Sequence, residues 1–275
     1  MLAVLCLCFA GCDDGTGTGG YTPFTGPTSI DEVIEYLADQ TDGTLPDNPV
    51  ELAVMVDASE WPQLFEAIAH ADKWIALDLS RCYNVPLVFS LVLSPMASVG
   101  WNKTVSLVLP QGITTIGNYA FYGCGNLAYI DLPASLTTIG GFAFDGCINL
   151  RHIDLPAGIT SIGYMAFVGC TMTQITLPAR LTSIGGFAFG FCTNLTQITL
   201  SSGLQNIGDR AFDRCTSLTQ ITCYAVTPPA LDSSGYIIDA DDDTDLNLTA
   251  IRVPAGSVAA YKSAWSRYAD IISAM

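Results

Sequence analysis

The sequence predicts a repeat solenoid, mainly β with short helical turns, closed by an α/β cap at its N-terminal end and a helical cap at its C-terminal end. Three observations carry this. Phe121, Phe144, Phe167, Phe189 and Phe212 recur at intervals of 23, 23, 22 and 23 residues. Cys124, Cys147, Cys170, Cys192 and Cys215 keep the same intervals, and so do Ile116, Ile139, Ile162, Ile184 and Ile207, each followed by glycine. The one short interval comes from a residue missing between Cys170 and Ile175. A period of this length is the signature of stacked supersecondary units.

One coil, Leu127 to Cys147, shows what each part of the unit does. Ile130 and Leu132 alternate with polar neighbours, the pattern of a short strand with one face inward. Pro133 has no N–H to give a ladder and ends that strand. Leu136 and Ile139 form a second apolar pair, and Gly140 supplies a turn that a side chain would resist. Ala143, Phe144 and Cys147 stand at helical spacing, which predicts a short helical turn. Burying five large apolar residues contributes roughly 8–15 kcal/mol, and ordering 22–23 residues costs at least as much. A coil therefore folds only against its neighbours, which share one continuous core. Equivalent strands should then form a parallel sheet at about 4.8 Å spacing.

The flanks follow in chain order. Residues 1–11 are uncharged and apolar and end in small residues, as a signal-peptide h-region does. Ala10-Gly11-Cys12 resembles a bacterial lipobox, which implies lipidation at Cys12. The cationic n-region is missing, so the translation start stays open. Residues 12–28 read as a flexible Gly/Thr/Pro tether; Gly15, Gly17 and Gly20 fit a dinucleotide fingerprint on paper but lack the strand before and the helix after. Residues 29–100 read as the N-terminal α/β cap with an irregular first repeat. Here a helix over 29–40 has Ser29 and Glu32 as a capping box and Ile30, Val33, Ile34 and Leu37 inward. A strand over 52–56, a helix over 61–71 and a repeat-like strand over 74–80 follow. Residues 101–223 are the repeats. Residues 224–275 form the C-terminal cap, with an acidic loop and a helix over 257–274 whose inward contacts are Val258, Tyr261, Trp265 and Ile272.

The pattern L-x-x-I-x-L-P-x-x-L-T-x-I-G-x-x-A-F-x-x-C, running from Val105 to Cys223, resembles the BspA-like, Treponema-type leucine-rich repeats. Thr227 to Leu231 and Ile251 to Trp265 are similar to that family's C-terminal end. The resemblance implies a leucine-rich-repeat solenoid and a lipid-anchored envelope protein that binds other proteins, with adhesion to host or neighbour-cell components as its expected role. It brings no catalytic residues and no cofactor. A periplasmic scaffolding lipoprotein without an external ligand is the alternative that stays open.

The remaining chemistry is sparse. A formal net charge of -16 repels nucleic-acid phosphate and anionic headgroups, so neither is expected as a partner, and a monomer tied to the membrane only through its N-terminal lipid is. Ten cysteines in an exported chain would suggest disulfides. Five of them recur at one core position, however, in a column whose parallel Cβ directions suit bridging poorly. They read as small buried residues. His70 and His152 belong to no catalytic or metal motif, and no enzyme is expected. Asp239, Asp241, Asp243 and Asp245 open like a calcium loop, but Thr244 stands in place of its glycine and Ala250 in place of its bidentate glutamate. The loop reads as a solvated insertion, with weak calcium binding as the alternative. The expected protein-binding face is the outward side of the first two regular strands: Tyr129, Asp131, Arg151, His152 and Asp154. Beyond it, Gln174, Thr176, Gln197, Thr199, Gln220 and Thr222 read as scaffold ladders.

Overall fold

The computed structural model describes residues 26–40, 47–89, 103–232, 234–238 and 247–275. The N-terminal part holds α1 (Ile30–Asp39), β1 (Val50–Ala53), α2 (Trp61–His70), β2 (Ile75–Asp78) and β3 (Val88–Phe89). The repeats follow with β4 (Thr104–Val108), β5 (Thr115–Ile116), β6 (Tyr129–Asp131), β7 (Thr138–Ile139), β8 (Ser161–Ile162), β9 (Ser183–Ile184), β10 (Gln197–Leu200), β11 (Asn206–Ile207) and β12 (Gln220–Cys223). The chain closes with β13 (Ala230–Leu231), β14 (Ala250–Val253), α3 (Val258–Ala264) and β15 (Ile272–Ala274).

All pairings between these strands are parallel, in three sheets. The T-x-I segments form a seven-stranded sheet, β13-β11-β9-β8-β7-β5-β3. Sequence reasoning saw there only an apolar pair. The I-x-L segments form two separate four-stranded sheets, β1-β2-β4-β6 and β10-β12-β14-β15.

A third set of bonds crosses the A-F arcs. The expected helical turn is instead a run of i→i+3 turns, such as Ala120 N–H to Gly117 O and Cys124 N–H to Phe121 O. A residue with positive φ interrupts it in every coil: Tyr119, Phe142, Met165, Phe187 and Arg210, at 51–61°. That conformation costs roughly 1–2 kcal/mol for a residue with a Cβ. It turns each of these N–H groups onto the next coil, where Gly141, Tyr164, Gly186, Asp209 and Tyr236 accept at 2.9 Å. The glycine after the repeat isoleucine has a different task from the one expected. Gly140, Gly163, Gly185 and Gly208 have no positive φ; a Cβ at Gly163 would lie 2.5 Å from the backbone of Gly140 and Gly141. The requirement is close approach of neighbouring coils, not turn geometry.

The core is a stack of rings. Phe89, Phe121, Phe144, Phe167, Phe189 and Phe212 are fully buried, with successive centroids 5.0–5.5 Å apart. Trp61 of α2 caps the column at 5.3 Å from Phe89. Beside it runs the cysteine column. Cys147, Cys170, Cys192 and Cys215 each donate S–H to the phenylalanine carbonyl of the preceding coil, at 3.0–3.3 Å. The seven cysteines among the described residues are free and buried. Burial pushes the Cys170, Cys192 and Cys215 thiols up, Cys215 to about 12. Thr137, Thr160 and Thr182 use their hydroxyls in the same way, on the carbonyl of the previous coil.

The caps depart from expectation in detail. Ser29 caps α1, and the Glu32 carboxylate accepts chiefly from the Thr28 amide and hydroxyl. Those bonds hold its pKa below the usual value. Ile34 is half exposed, so the inward stripe of α1 narrows to Val33 and Leu37, with Ile30 partly buried against the core. The strand expected over 52–56 lies two residues earlier, where β1 pairs with β2. At the other end the helix stops at Ala264, and β15 adds the last strand to the sheet beside β14. Tyr261 donates to Ala225 O, Trp265 to Pro229 O, and the Tyr268 hydroxyl accepts from the Ile237 and Ile238 amides. These three buried side chains tie the end of the stack shut.

Candidate functional site

Every residue of the expected face is exposed. Tyr129 and Asp131 flank the buried Ile130 on β6; His152 and Asp154 flank the buried Ile153 one coil on, with Arg151 just before them. His152 Nε2 lies 3.0 Å from Asp154 Oδ1. The two halves do not form the in-register strand pair that was expected. β6 pairs only with β4, and residues 151–155 belong to no strand.

The break extends through the next coil. Thr196, Thr219 and Thr249 each donate their N–H to the equivalent residue one coil back, and Ala128 donates to Val105. Among the described residues, 151–155 make no backbone–backbone hydrogen bond, and residues 174–176 touch the next coil through a single bridge, Thr176 to Thr199. The T-x-I ladder stays continuous through these same coils. The coils are thus held together on one side and spread on the other. The missing residue lies here: Cys170 to Met172 spans two steps where Cys147 to Leu150 spans three. The segment after the short arc keeps its bond to the coil that follows, Thr196 N–H to Thr173 O, while residues 151–155 before it pair with neither neighbour.

The spread coils enclose a cleft of about 590 Å³. His152, Asp154 and Leu155 line one wall, and Gln174, Thr176 and Arg180 contribute to the other. Of the residues read as ladders, Gln174, Thr176, Gln197 and Thr199 are exposed, and Gln220 donates to Thr222 within its own strand. The hydroxyl ladder runs one residue earlier, from Thr219 to Thr196 O and from Thr196 to Thr173 O.

A feature that sequence reasoning missed lies on the edge formed by the A-F arcs. Tyr119, Phe142, Tyr164 and Phe187 make an outer row of rings, 4.7–6.2 Å between centroids. Arg210, Tyr236 and Arg267 continue it, with the Arg267 guanidinium 3.9 Å from the Tyr236 ring. Tyr119, Tyr122, Tyr164 and Phe191 are about half exposed. The signal was present: aromatic side chains recur just before the repeat Ala-Phe.

Cys12 and its flanks, and Asp239, Asp241, Asp243 and Asp245, lie outside the described residues. Among the described residues no cluster of His, Cys, Asp or Glu could hold a metal ion, and no helix is long and apolar enough to cross a membrane.

Comparison with known proteins gives the fold its relatives. The family model for the BspA type leucine rich repeat region matches residues 103–227 in six copies. A leucine-rich repeat protein from Bacteroides ovatus is 27% identical over 56% of this chain and 40% of its own, with a TM-score of 0.43. The T. pallidum leucine rich repeat protein is 28% identical over 54% of this chain and 73% of its own, with a TM-score of 0.48. A leucine rich cell surface protein from Faecalibacterium prausnitzii is 18% identical over 75% of this chain and 68% of its own, with a TM-score of 0.35. The chain spans less than half the length of the Bacteroides ovatus protein. No curated protein matches it.

Proposed function

Residues 103–227 are a BspA-type leucine-rich repeat region, and from that premise we propose that this chain is a lipid-anchored protein of the bacterial cell envelope that holds protein partners, in adhesion to host or neighbour-cell components. The observation that carries the reading is the exposed set Tyr129, Asp131, Arg151, His152 and Asp154 on a scaffold stiffened by inter-coil bonds. Tyrosine and arginine are the residue types that most often anchor interfaces, and neighbouring carboxylates select partners by charge. Lipid on Cys12 would keep the solenoid at the membrane surface, with residues 12–28 as the tether.

The test is capture of partners from extracellular matrix and neighbouring cells by the full chain. The double change Tyr129→Ala with Arg151→Ala leaves the melting temperature almost unchanged, because both side chains face solvent. It weakens capture by about 2 kcal/mol or more if the two are hot spots. Gln197→Ala with Gln220→Ala is the control and binds normally. Loss of capture in the control alone would move the site to the other end of the sheet.

A second reading rests on the outer aromatic row. Half-exposed rings on three of its coils, Tyr119 and Tyr122, Tyr164, and Phe191, present apolar area of the kind that marks interaction surfaces. Tyr119→Ala with Tyr164→Ala tests it in the same capture assay.

A further inference from the structure

We propose that the cleft between the segment 152–155 and the segment 174–180 of the following coil receives an arginine side chain of the protein partner. This deepens the reading of the face given above and rests on it. Three features of the cleft point to that chemistry. The first is its unspent backbone. Residues 151–155 have carbonyls that accept no backbone hydrogen bond among the described residues, and a polar group left this way at a cleft needs a donor from water or a ligand. The second is Asp154, whose side chain is 88% exposed beside them and, among the described residues, is held only by His152, itself 60% exposed. A surface pair of that kind contributes little and exchanges readily. The third is the apolar wall made by Leu155 and Pro178.

A guanidinium matches this set better than other protein groups. It brings five N–H donors in a planar fork, enough for one carboxylate and several carbonyls at once. Its methylene stem lies along apolar surface while the head bonds. The chain's net charge of -16 draws basic partners toward it. Arg180, on the opposite wall, opposes a second cation, so the proposal also fixes the sign of its effect.

The experiment is amide NMR on the isotope-labelled full chain, titrated with acetyl-Gly-Arg-Gly-amide and with the same peptide carrying norleucine or glutamate in place of arginine. The arginine peptide is expected to shift the amide signals of Asp154, Gln174 and Thr176. Loss of a charge-assisted bond in Asp154→Asn weakens it roughly tenfold. Arg180→Gln strengthens it. The proposal is overturned by no shift at about 10 mM peptide, by a preference for the glutamate peptide, or by undiminished arginine binding in Asp154→Asn. If the peptide fails while Tyr129→Ala with Arg151→Ala still loses partner capture, the cleft assignment falls and the face assignment stands. If the peptide binds as expected but that double variant captures normally, the cleft stands and the wider face does not.

Discussion

Replacing Phe167 by alanine tests whether the ring column holds the solenoid together. Phe167 is fully buried, and its ring lies 5.2 Å from that of Phe144 and 5.5 Å from that of Phe189, at 0° and 7° between planes. Truncation leaves a cavity that the coils cannot close, because the Phe167 amide on Ala188 O and the Phe144 amide on Ala166 O fix their separation. Such a change in a core costs about 3–5 kcal/mol. Two ring contacts are lost as well, each contributing about 0.5–1.5 kcal/mol beyond burial, which places the loss in the upper part of that range. At about 2–4 °C per kcal/mol for a chain of this size, the melting temperature falls by roughly 8–20 °C. Each coil contacts only its neighbours, so amides of the adjacent coils lose protection before those of the caps. Circular dichroism melts with hydrogen exchange read both effects. Phe167→Leu keeps most of the volume and costs less than the alanine change, although it loses the same two ring contacts. A melting temperature for Phe167→Ala within error of the parent would show that the column does not carry the fold.

Gly163→Ala places a Cβ 2.5 Å from the neighbouring coil's backbone and should destabilise by roughly 3 kcal/mol in a urea melt; a change under about 0.5 kcal/mol would refute the close-approach account. The repeat thiols should resist alkylation in the native chain at neutral pH and react once it is denatured, and a Cys147–Cys170 cross-link in the intact mass would contradict this. Because burial raises the folded Cys215 value to about 12, above the usual thiol value of about 8.5, its contribution is complete below that value and is lost as pH rises from there to the folded value, by up to about 1.4 kcal/mol per pH unit. Stability that stays level through this alkaline window would count against the burial. Cys12→Ala should move the protein from the membrane fraction to the soluble one, since stable anchoring needs two acyl chains or more; unchanged partitioning in detergent would remove the lipid from the proposal.

The repeat was legible because its period fixes what must be alike in every coil. Phe167 and Cys170 recur in step, so burial follows from position alone. What the period does not encode is why each residue type was chosen. Gly163 looks like a turn residue, and only the separation between coils reveals that a Cβ has no room there. Thr182 looks like a β-propensity choice until its hydroxyl is found on the Thr160 carbonyl. The second sheet was hidden because two-residue strands such as Thr138–Ile139 carry no alternation to read. At the C-terminal end, periodicity past Trp265 fits a helix, and the strand Ile272–Ala274 exists only because β14 offers it an edge. The exposed face was legible as outward positions, but its break was not, because pairing depends on how neighbouring coils align as well as on residue type.

That dependence bears on how such a scaffold acquires a site. Fully regular coils would present the same ladder at every level, and a partner could slide along it. Tyr129, His152 and Asp154 occupy positions where later coils carry Gln and Thr, so composition alone distinguishes one end of the face from the other. The unpaired segment 151–155 adds a geometric difference, since the I-x-L side is interrupted there while the T-x-I side stays paired. The cost is confined to a few inter-coil hydrogen bonds, each of net value about 0.5–1.5 kcal/mol. The ring column beneath is uninterrupted, from Phe144 through Phe167 to Phe189. Stability and recognition are thus placed on different sides of the same coil: the arcs that hold neighbours together repeat strictly, and the segment free to depart from the repeat is the one that faces outward.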